Sequence, residues 1–487
     1  MKKYYLLFGE GSKINQIICA VLINLPVFGY GASIGWMSPM TLLLQSKDSP
    51  TEVPLTDYEI SWMAAVAYLV CVPADFLMAI LSDWMGRKKA LLFISTASVI
   101  AWIIKLSSYQ IWAFILARSC IGILMGGAYV TCPLYTKEIS EDSIRGVLGS
   151  LVVLFHVSGN LFAYIIGDLL SYRSVLWVCL SIPTLHLVLF MMMPDSPSYL
   201  VKRGKTEEAL RVLAWLRCRR EDDGLVLKEL EQIRNEQRSD DESSKFVAKA
   251  IVKDKILLRA FRIAIVVTLA REVCGAIPVT NFAGDIFANA SEGTTLVLSP
   301  NQQAMMLGGV QVIGSLVASS VVEKTGRKPL LIITSLVSGI SMCALGSWFV
   351  AREYGVWAPG WLPISSLCIC IFCDSSGLQP VSVLVTGEMF SFKYRGTVMA
   401  TTMSLASICG FLQMLFFKQV AAAIGVHVSF YFFGAICLTA AIYALLVVPE
   451  TKLRSIGEIH EDLKTKKEKE LELNGLPMVR SEKKDMC

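Results

Sequence analysis

The sequence predicts an all-α membrane protein: twelve transmembrane helices in two six-helix pseudo-repeats, with cytoplasmic linker helices between them. Three observations carry that prediction. Of 487 residues, 54% are apolar and 17% charged, with a mean hydropathy of +0.55. The apolar residues gather into twelve stretches, each near the roughly 20 residues that a bilayer core of about 30 Å requires. The charged residues between them form clusters that recur in the second half of the chain. A water-soluble fold of this composition would expose large apolar patches, and disorder needs low hydrophobicity with high net charge.

In order, the stretches run over 14–38, 58–81, 89–107, 111–135, 146–168, 173–193, 258–287, 301–322, 329–350, 360–387, 395–420 and 428–448. The first, seventh and tenth are long enough to be tilted or broken. The first continues past Pro26 into a full-length span, so no cleavable signal peptide is expected. The chain divides into an N-terminal bundle over 14–193, a polar linker over 194–257, a C-terminal bundle over 258–448 and a tail over 449–487. Within the linker, Thr206-Glu207-Glu208 opens an amphipathic helix with Leu210, Leu213 and Leu216 on one side. From about residue 462 the Lys- and Glu-rich tail is expected to be disordered.

Forty-five Lys and Arg against forty Asp and Glu leave a net charge of +5, too small for a nucleic-acid binder. Twelve of the fourteen cysteines lie inside apolar stretches, the exceptions being Cys218 and Cys487, so disulfides are not expected. Cys368, Cys370 and Cys373 have no histidine nearby, and no metal site is expected there. Basic residues crowd alternate loops: Lys2, Lys3 and Lys13, then Arg87, Lys88 and Lys89, Lys137 and Arg145, Lys324, Arg327 and Lys328, and Lys393 and Arg395. The other loops hold only Lys47, Arg173 and Arg352. Positive residues mark the cytoplasmic side, which places both termini there. The acceptor triplet Asn289-Ala290-Ser291 then falls in an outer loop after the seventh span, a candidate glycosylation site.

The clusters repeat in order. Gly86-Arg87-Lys88-Lys89 recurs as Gly326-Arg327-Lys328-Pro329, 240 residues on. Glu138 with Arg145 recurs as Glu388 with Arg395, and Pro194-Asp195-Ser196-Pro197 as Pro449-Glu450-Thr451-Lys452, at offsets of 250 and 255. Parallel repeats of six helices are a transporter architecture with the substrate between them. Asp83, Glu138, Glu323 and Glu388 lie beside Arg87, Lys88, Arg145, Arg327, Lys328 and Arg395 at helix ends on one side. Such pairs can latch the halves together and break when that side opens.

The same residues carry a family resemblance. Met78 to Lys88, with Asp83 and Gly86-Arg87-Lys88, resembles the loop motif of the major facilitator superfamily. Gly122-Ile123, Gly126, Tyr135, Glu138 and Arg145 match the sugar-porter spacing at every fixed position, and Pro194-Asp-Ser-Pro and Pro449-Glu-Thr-Lys complete it. The likeness covers about 14–460, and Gly35-Trp36-Met37-Ser38-Pro39 looks most like the insect facilitated trehalose transporters. It implies the same gating role for the loop charges and groups Arg118 with them. Thr325 departs from the second loop motif, which normally has an apolar residue there.

The sugar-binding positions depart further. The family's span-five glutamine aligns with Val153, its paired span-seven glutamines with Arg271 and Glu272, and the following asparagine with Ile277. Its span-ten tryptophan falls at Val383 and its Asn-Trp of span eleven at Ala406-Ser407, while Gln311 keeps an amide. His156, Asn160 and Tyr164 share one helical face with Val153 and are expected to line a cavity, together with Asn281, Gln311 and Gln379. A charge at mid-membrane costs several kcal/mol unless paired or hydrated, so Arg271 and Glu272 mark a pathway or an inter-helix network. Neighbours on a helix point about 100° apart, which argues against those two pairing with each other. Arg271 shares its face with Gly275, Pro278, Phe282 and Asp285, and Pro278 is expected to break the helix. Asp75 and Asp374 are further intramembrane acids.

The resemblance places an acid after Phe-Gly-Tyr of span one in proton-coupled relatives; here Phe28-Gly29-Tyr30 is followed by Gly31. The expected function is therefore facilitated transport of a neutral sugar, trehalose or a hexose, or of a polyol, across the plasma membrane by a monomer. The alternatives are a proton-coupled or non-sugar transporter working through Arg271 and Glu272, and a sensor that binds sugar without moving it. No enzyme motif, cofactor site or metal cluster is expected.

Overall fold

The computed structural model describes residues 11–51, 53–243, 251, 253–291 and 298–464. All regular structure among them is helical. The first group comprises α1 (Ile14–Gly35), α2 (Met37–Leu44), α3 (Asp57–Met85), α4 (Arg87–Ser107), α5 (Ile111–Ile139), α6 (Asp142–Leu169) and α7 (Tyr172–Phe190). Short helices α8 (Pro197–Lys202), α9 (Thr206–Leu216) and α10 (Gly224–Ser243) follow. The second group is α11 (Lys255–Glu272), α12 (Ala276–Asn281), α13 (Ala283–Ser291), α14 (Pro300–Thr325), α15 (Arg327–Glu353), α16 (Leu362–Cys373), α17 (Gln379–Glu388), α18 (Phe392–Ile424) and α19 (Val426–Leu446), after which comes α20 (Ile456–Asp462).

Eleven stretches among the described residues are long and apolar enough to cross a bilayer, and the 26-residue α14 stands in the eighth position between them. Together they make the twelve-helix fold. Several helices run past the apolar windows read from the sequence, because polar caps lie beyond the apolar core. A capping box of Thr56 with Glu59 starts α3, and one of Ser299 with Gln302 starts α14. In the linker α9 begins at Thr206 as expected, and Trp215 of that helix accepts from Asn15 of α1 at 2.7 Å. The tail beyond residue 464 lies outside the described residues.

The three long spans are the interrupted ones. The first is broken at Trp36, because Pro39 has no N–H to offer the Gly35 carbonyl. In the seventh the expectation of a break at Pro278 is corrected: α11 ends at Glu272, and the chain turns at Gly275 with φ +94°. Pro278 sits in the first turn of α12, where a missing N–H costs nothing. The tenth carries a π-turn over Asp374–Leu378, since Pro380 cannot donate to the Ser376 carbonyl. A further correction concerns Asn289, which lies exposed in the last turn of α13 rather than in a loop.

Between the groups, α3 runs along α18, α6 along α14, and α2 touches α13. Within the first group α1 and α6 cross closely enough that a Cβ at Gly159 would sit 2.1 Å from the Phe28 carbonyl oxygen. Gly159→Val is therefore expected to force the crossing apart at a cost of about 1–3 kcal/mol or more. Size-exclusion profiles of the detergent-solubilised protein should show loss of the monodisperse peak, whereas Gly149→Val, in open space, should leave it intact.

Candidate functional site

At the end carrying the repeated charges, two matching networks form. Arg87 holds the Glu138 carboxylate with Nε at 3.1 Å and Nη2 at 3.0 Å, and reaches Asp83 at 2.7 Å. Arg327 holds Glu388 in the same way, at 3.2 and 2.7 Å. Ser196 donates to Glu138 as Thr451 does to Glu388. Arg145 donates to the Ser140 carbonyl at 3.2 Å and Arg395 to that of Phe390 at 3.3 Å. The symmetry extends to backbone caps. Asp195 accepts from the Lys88 N–H, and Glu450 from those of Arg327 and Lys328. Burial pushes the Asp195 carboxyl above its ordinary range, the one backbone donor not outweighing it. Glu450 is also pushed up by burial, but the N–H groups of Lys452, Arg327, Lys328 and Thr451 outweigh it and hold the carboxyl below its usual value.

Each network closes within its own group of helices, so in this conformation the expected latch between the halves is not formed. Arg87, Arg145, Arg327 and Arg395 bond to partners of their own group. Gly146 and Gly149 of α6, Gly387 of α17 and Gly396 of α18 have open space where a Cβ would stand. Glu323, the counterpart of Asp83, is exposed and among the described residues makes no ion pair with Arg327. Arg118 is a second correction. It lies 20 residues along α5 from Glu138, or about 30 Å. It is fully buried and spends its donors on the carbonyls of Met63 and Ser33, at 3.1 and 3.0 Å.

Midway along the helices the unrepeated charges meet. Arg271 pairs with Glu272 through Nη1 and with Asp374, in the π-turn, through Nε at 3.4 Å. The expectation that Arg271 and Glu272 point apart is thereby corrected. They close the last turn of α11, where no further turn crowds them, and a guanidinium on a three-carbon stem can fold back. Gln413 of α18 donates to the Glu272 carbonyl at 3.0 Å.

Facing them across the seam, His156 stacks on Tyr30 with ring centroids 5.2 Å apart and lies 6.2 Å from Tyr129. Asn160 donates to Gln311 at 3.0 Å, Tyr164 to the Thr280 carbonyl, and Asn281 to the Tyr68 hydroxyl at 3.5 Å. So Asn160, Tyr164, Asn281 and Gln311 join the two groups. Gln379 lies half-buried at the start of α17, apart from these bonds. His156 Nδ1, Asn281 Oδ1 and Gln413 Oε1 are buried with no partner among the described residues. Buried polar atoms without partners call for water or a ligand rich in hydroxyl groups, which both donate and accept.

The opposite end is closed by a residue that the sequence reading passed over. Lys418 of α18 is 9% exposed, and its Nζ reaches Gln45 at 2.7 Å, Asp57 at 3.1 Å and also Asp285. The Gly284 N–H donates to the Ser38 hydroxyl at 2.8 Å beside it. One ammonium thus binds α3 and the end of α2 in the first group to α18 and α13 in the second. Lysine inside the apolar window 395–420 was the available signal. A pocket of about 550 Å³ adjoins it, lined by Asp57, Asp285, Asn289, Arg352 and His427.

Comparison with known proteins agrees with this geometry. The chain is 26% identical over 451 residues to a facilitated trehalose transporter, Tret1, of Culex quinquefasciatus, covering 92% of this chain and 86% of the relative. It is 28% identical over 473 residues to human solute carrier family 2, facilitated glucose transporter member 6, covering 92% and 90%. Its fold matches the inward-open xylose transporter XylE of E. coli with a TM-score of 0.76 at 20% identity, over 92% of this chain and 100% of that one. The family model described as "Sugar (and other) transporter" matches residues 17–463, nearly all the described helices, and the chain belongs to that family.

Proposed function

We propose that this chain is a plasma-membrane facilitator of a neutral polyhydroxylated solute, trehalose or a hexose first and a polyol second. It works as a monomer in the bilayer, with both termini and the charged end cytoplasmic. Residues 14–193 and 258–448 form two bundles that rock about the seam. The observation that carries the reading is the asymmetry of that seam: Lys418 bridges the groups at one end, while the charge networks at the other each close within one group. Between the ends lie buried polar atoms suited to hydroxyl groups. In this reading the Arg87–Glu138 and Arg327–Glu388 networks change partners when the cytoplasmic side closes. The pathway is lined by His156, Asn281, Gln311, Gln379, Arg271 and Glu272, and Asn289 is the outer glycan acceptor.

Passive transport is supported at Gly31, where any side chain would meet the His156 carbonyl oxygen at 2.0 Å, so no carboxyl group fits there. One observation favours a second reading. Arg271 is shared by two carboxylates, leaving an excess negative charge that a proton or a cationic solute could balance.

Uptake of radiolabelled trehalose, glucose and sorbitol in oocytes, with and without a pH gradient, separates the two. Saturable trehalose uptake indifferent to the gradient is expected; flux that follows the gradient supports proton coupling. Retained binding without flux of any solute would refute transport. Arg271→Gln should lower uptake at least about tenfold or change which solute is carried. Lys88→Gln should only slow turnover, since its ammonium makes one exposed bond to the Met191 carbonyl. Lys418→Gln is expected to raise the outward-open population about tenfold. That shift would be measured as faster modification of Cys71, buried at the seam beside Ser407, by an impermeant maleimide applied outside and mapped by peptide mass.

A further inference from the structure

One buried cation of the first group takes no part in these networks. Lys105, near the end of α4, has no exposed surface, and its Nζ has no hydrogen-bond partner among the described residues. It lies 3.7 Å from the centroid of the Trp36 ring and 4.1 Å from that of Trp102. Both indole Nε1 atoms are also without partners, so the two rings offer the ammonium their faces and nothing else. Arg118, also fully buried in the first group, has its own donors taken by backbone carbonyls. A lysine in a membrane helix is ordinarily paired or reaches for the interface. Here the negative faces of two indoles hold it, an attraction that strengthens in a desolvated site.

The position of Trp36 gives that contact a consequence. Trp36 is fully buried and stands at the interruption between α1 and α2, where Pro39 deprives the Gly35 carbonyl of its donor. The bond that Pro39 cannot donate is missing there, while the Trp36 N–H still reaches the Ala32 carbonyl at 3.0 Å and the Met40 N–H reaches that of Trp36 at 3.3 Å. Beyond the interruption, Ser38 takes the N–H of Gly284, and Gln45, just after α2, takes the ammonium of Lys418. Trp36 packs edge-on against Trp102 at 6.2 Å and lies 6.4 Å from Phe114 of α5. Of these contacts, the one with Lys105 sets a polar group against the ring.

We propose that Lys105 is a positioning residue of the outer seal: its ammonium, held between Trp36 and Trp102, fixes Trp36 and through it the direction in which α2 leaves α1. The residue touches no solute. It acts by presenting Ser38 and Gln45 to the second group. This rests on the reading of the Lys418 end as a gate, but the position of α2 is measurable whether or not a solute moves.

Hydrogen–deuterium exchange of the full-length protein in nanodiscs, resolved by peptide mass, tests it alongside trehalose uptake. In Lys105→Met, which keeps the stem and removes the charge, the amides of 37–45 should exchange about tenfold faster while those of α3 and α5 stay as in the wild type. Trp102→Phe, with a weaker ring face, should give an intermediate acceleration of about threefold in the same segment. Unchanged exchange of 37–45 in Lys105→Met would overturn the proposal. So would acceleration spread equally over α3 and α5, which would make Lys105 a general packing residue. Loss of uptake with 37–45 still protected would likewise exclude the positioning role without touching the gate reading.

Discussion

An unpartnered polar group in hydrocarbon costs several kcal/mol, and the arrangement of this molecule follows from that constraint. It forces every lipid-facing segment into a helix whose backbone bonds close on themselves. It also decides where helices can be interrupted. The turn at Gly275 is pressed against the Phe433 ring, and the π-turn over Asp374–Leu378 packs Gly377 on Thr334. Both irregularities are covered by protein. The same constraint places the charges: those at helix ends pair with one another and with backbone caps, Arg271 pairs with two carboxylates, and the buried Arg118 spends its donors on carbonyls.

That placement separates two kinds of charge. The end networks repeat in detail, down to Ser196 and Thr451 donating to equivalent glutamates and Arg145 and Arg395 to equivalent carbonyls. Symmetry of this kind suits a task common to both groups, namely holding loops and linker helices to the bundle. Arg271, Glu272, Asp374 and Lys418 have no counterparts in the first group. They lie on or near the surface where the groups meet, and that surface has to be asymmetric to distinguish one solute from another. The Asp195 and Glu450 caps show how equivalent positions diverge. With one backbone donor the carboxyl is raised, and with four it is lowered, so only Glu450 gains stability from ionisation.

The fold was legible because its signals are periodic or additive. Twelve apolar windows, loop charges and repeated clusters all survive errors of a few residues. The seam was less legible because it depends on single contacts. Pro278 was the obvious helix breaker, yet the break falls at Gly275, since proline is harmless in a first turn. Helix-wheel geometry separated Arg271 from Glu272, but the wheel does not describe a helix's last turn. Arg118 was grouped with the gate by resemblance alone, although its distance along α5 from Glu138 was countable. Lys418 was hidden inside an apolar window whose average it hardly changes. His156, Asn160 and Tyr164, read as one face of a helix, meet Tyr30, Gln311 and the Thr280 carbonyl in the folded chain. What the sequence could not say is that Asn160 and Tyr164 would be spent on bonds across the seam, because that depends on which neighbour faces them.

The chemistry of the sealed end also explains how a structure so well packed can open. Apolar contact does cross the seam, as where Trp62 of α3 meets Phe411 of α18 with ring centroids 6.1 Å apart, and separation exposes that area at about 25 cal/mol per Å². A closure held by such area alone would be permanent on a transport timescale. The polar part of the seal is different: one ammonium is shared among Gln45, Asp57 and Asp285, and the neighbouring bond joins a hydroxyl to a single N–H. Water entering an opened vestibule replaces each of these interactions nearly in kind, so each contributes only about 1–3 kcal/mol net to closure. A few such contacts hold a state firmly enough to populate it and loosely enough to leave it. The close crossing within a group, as where Gly159 meets the Phe28 carbonyl, does not have to be broken for the seam to open.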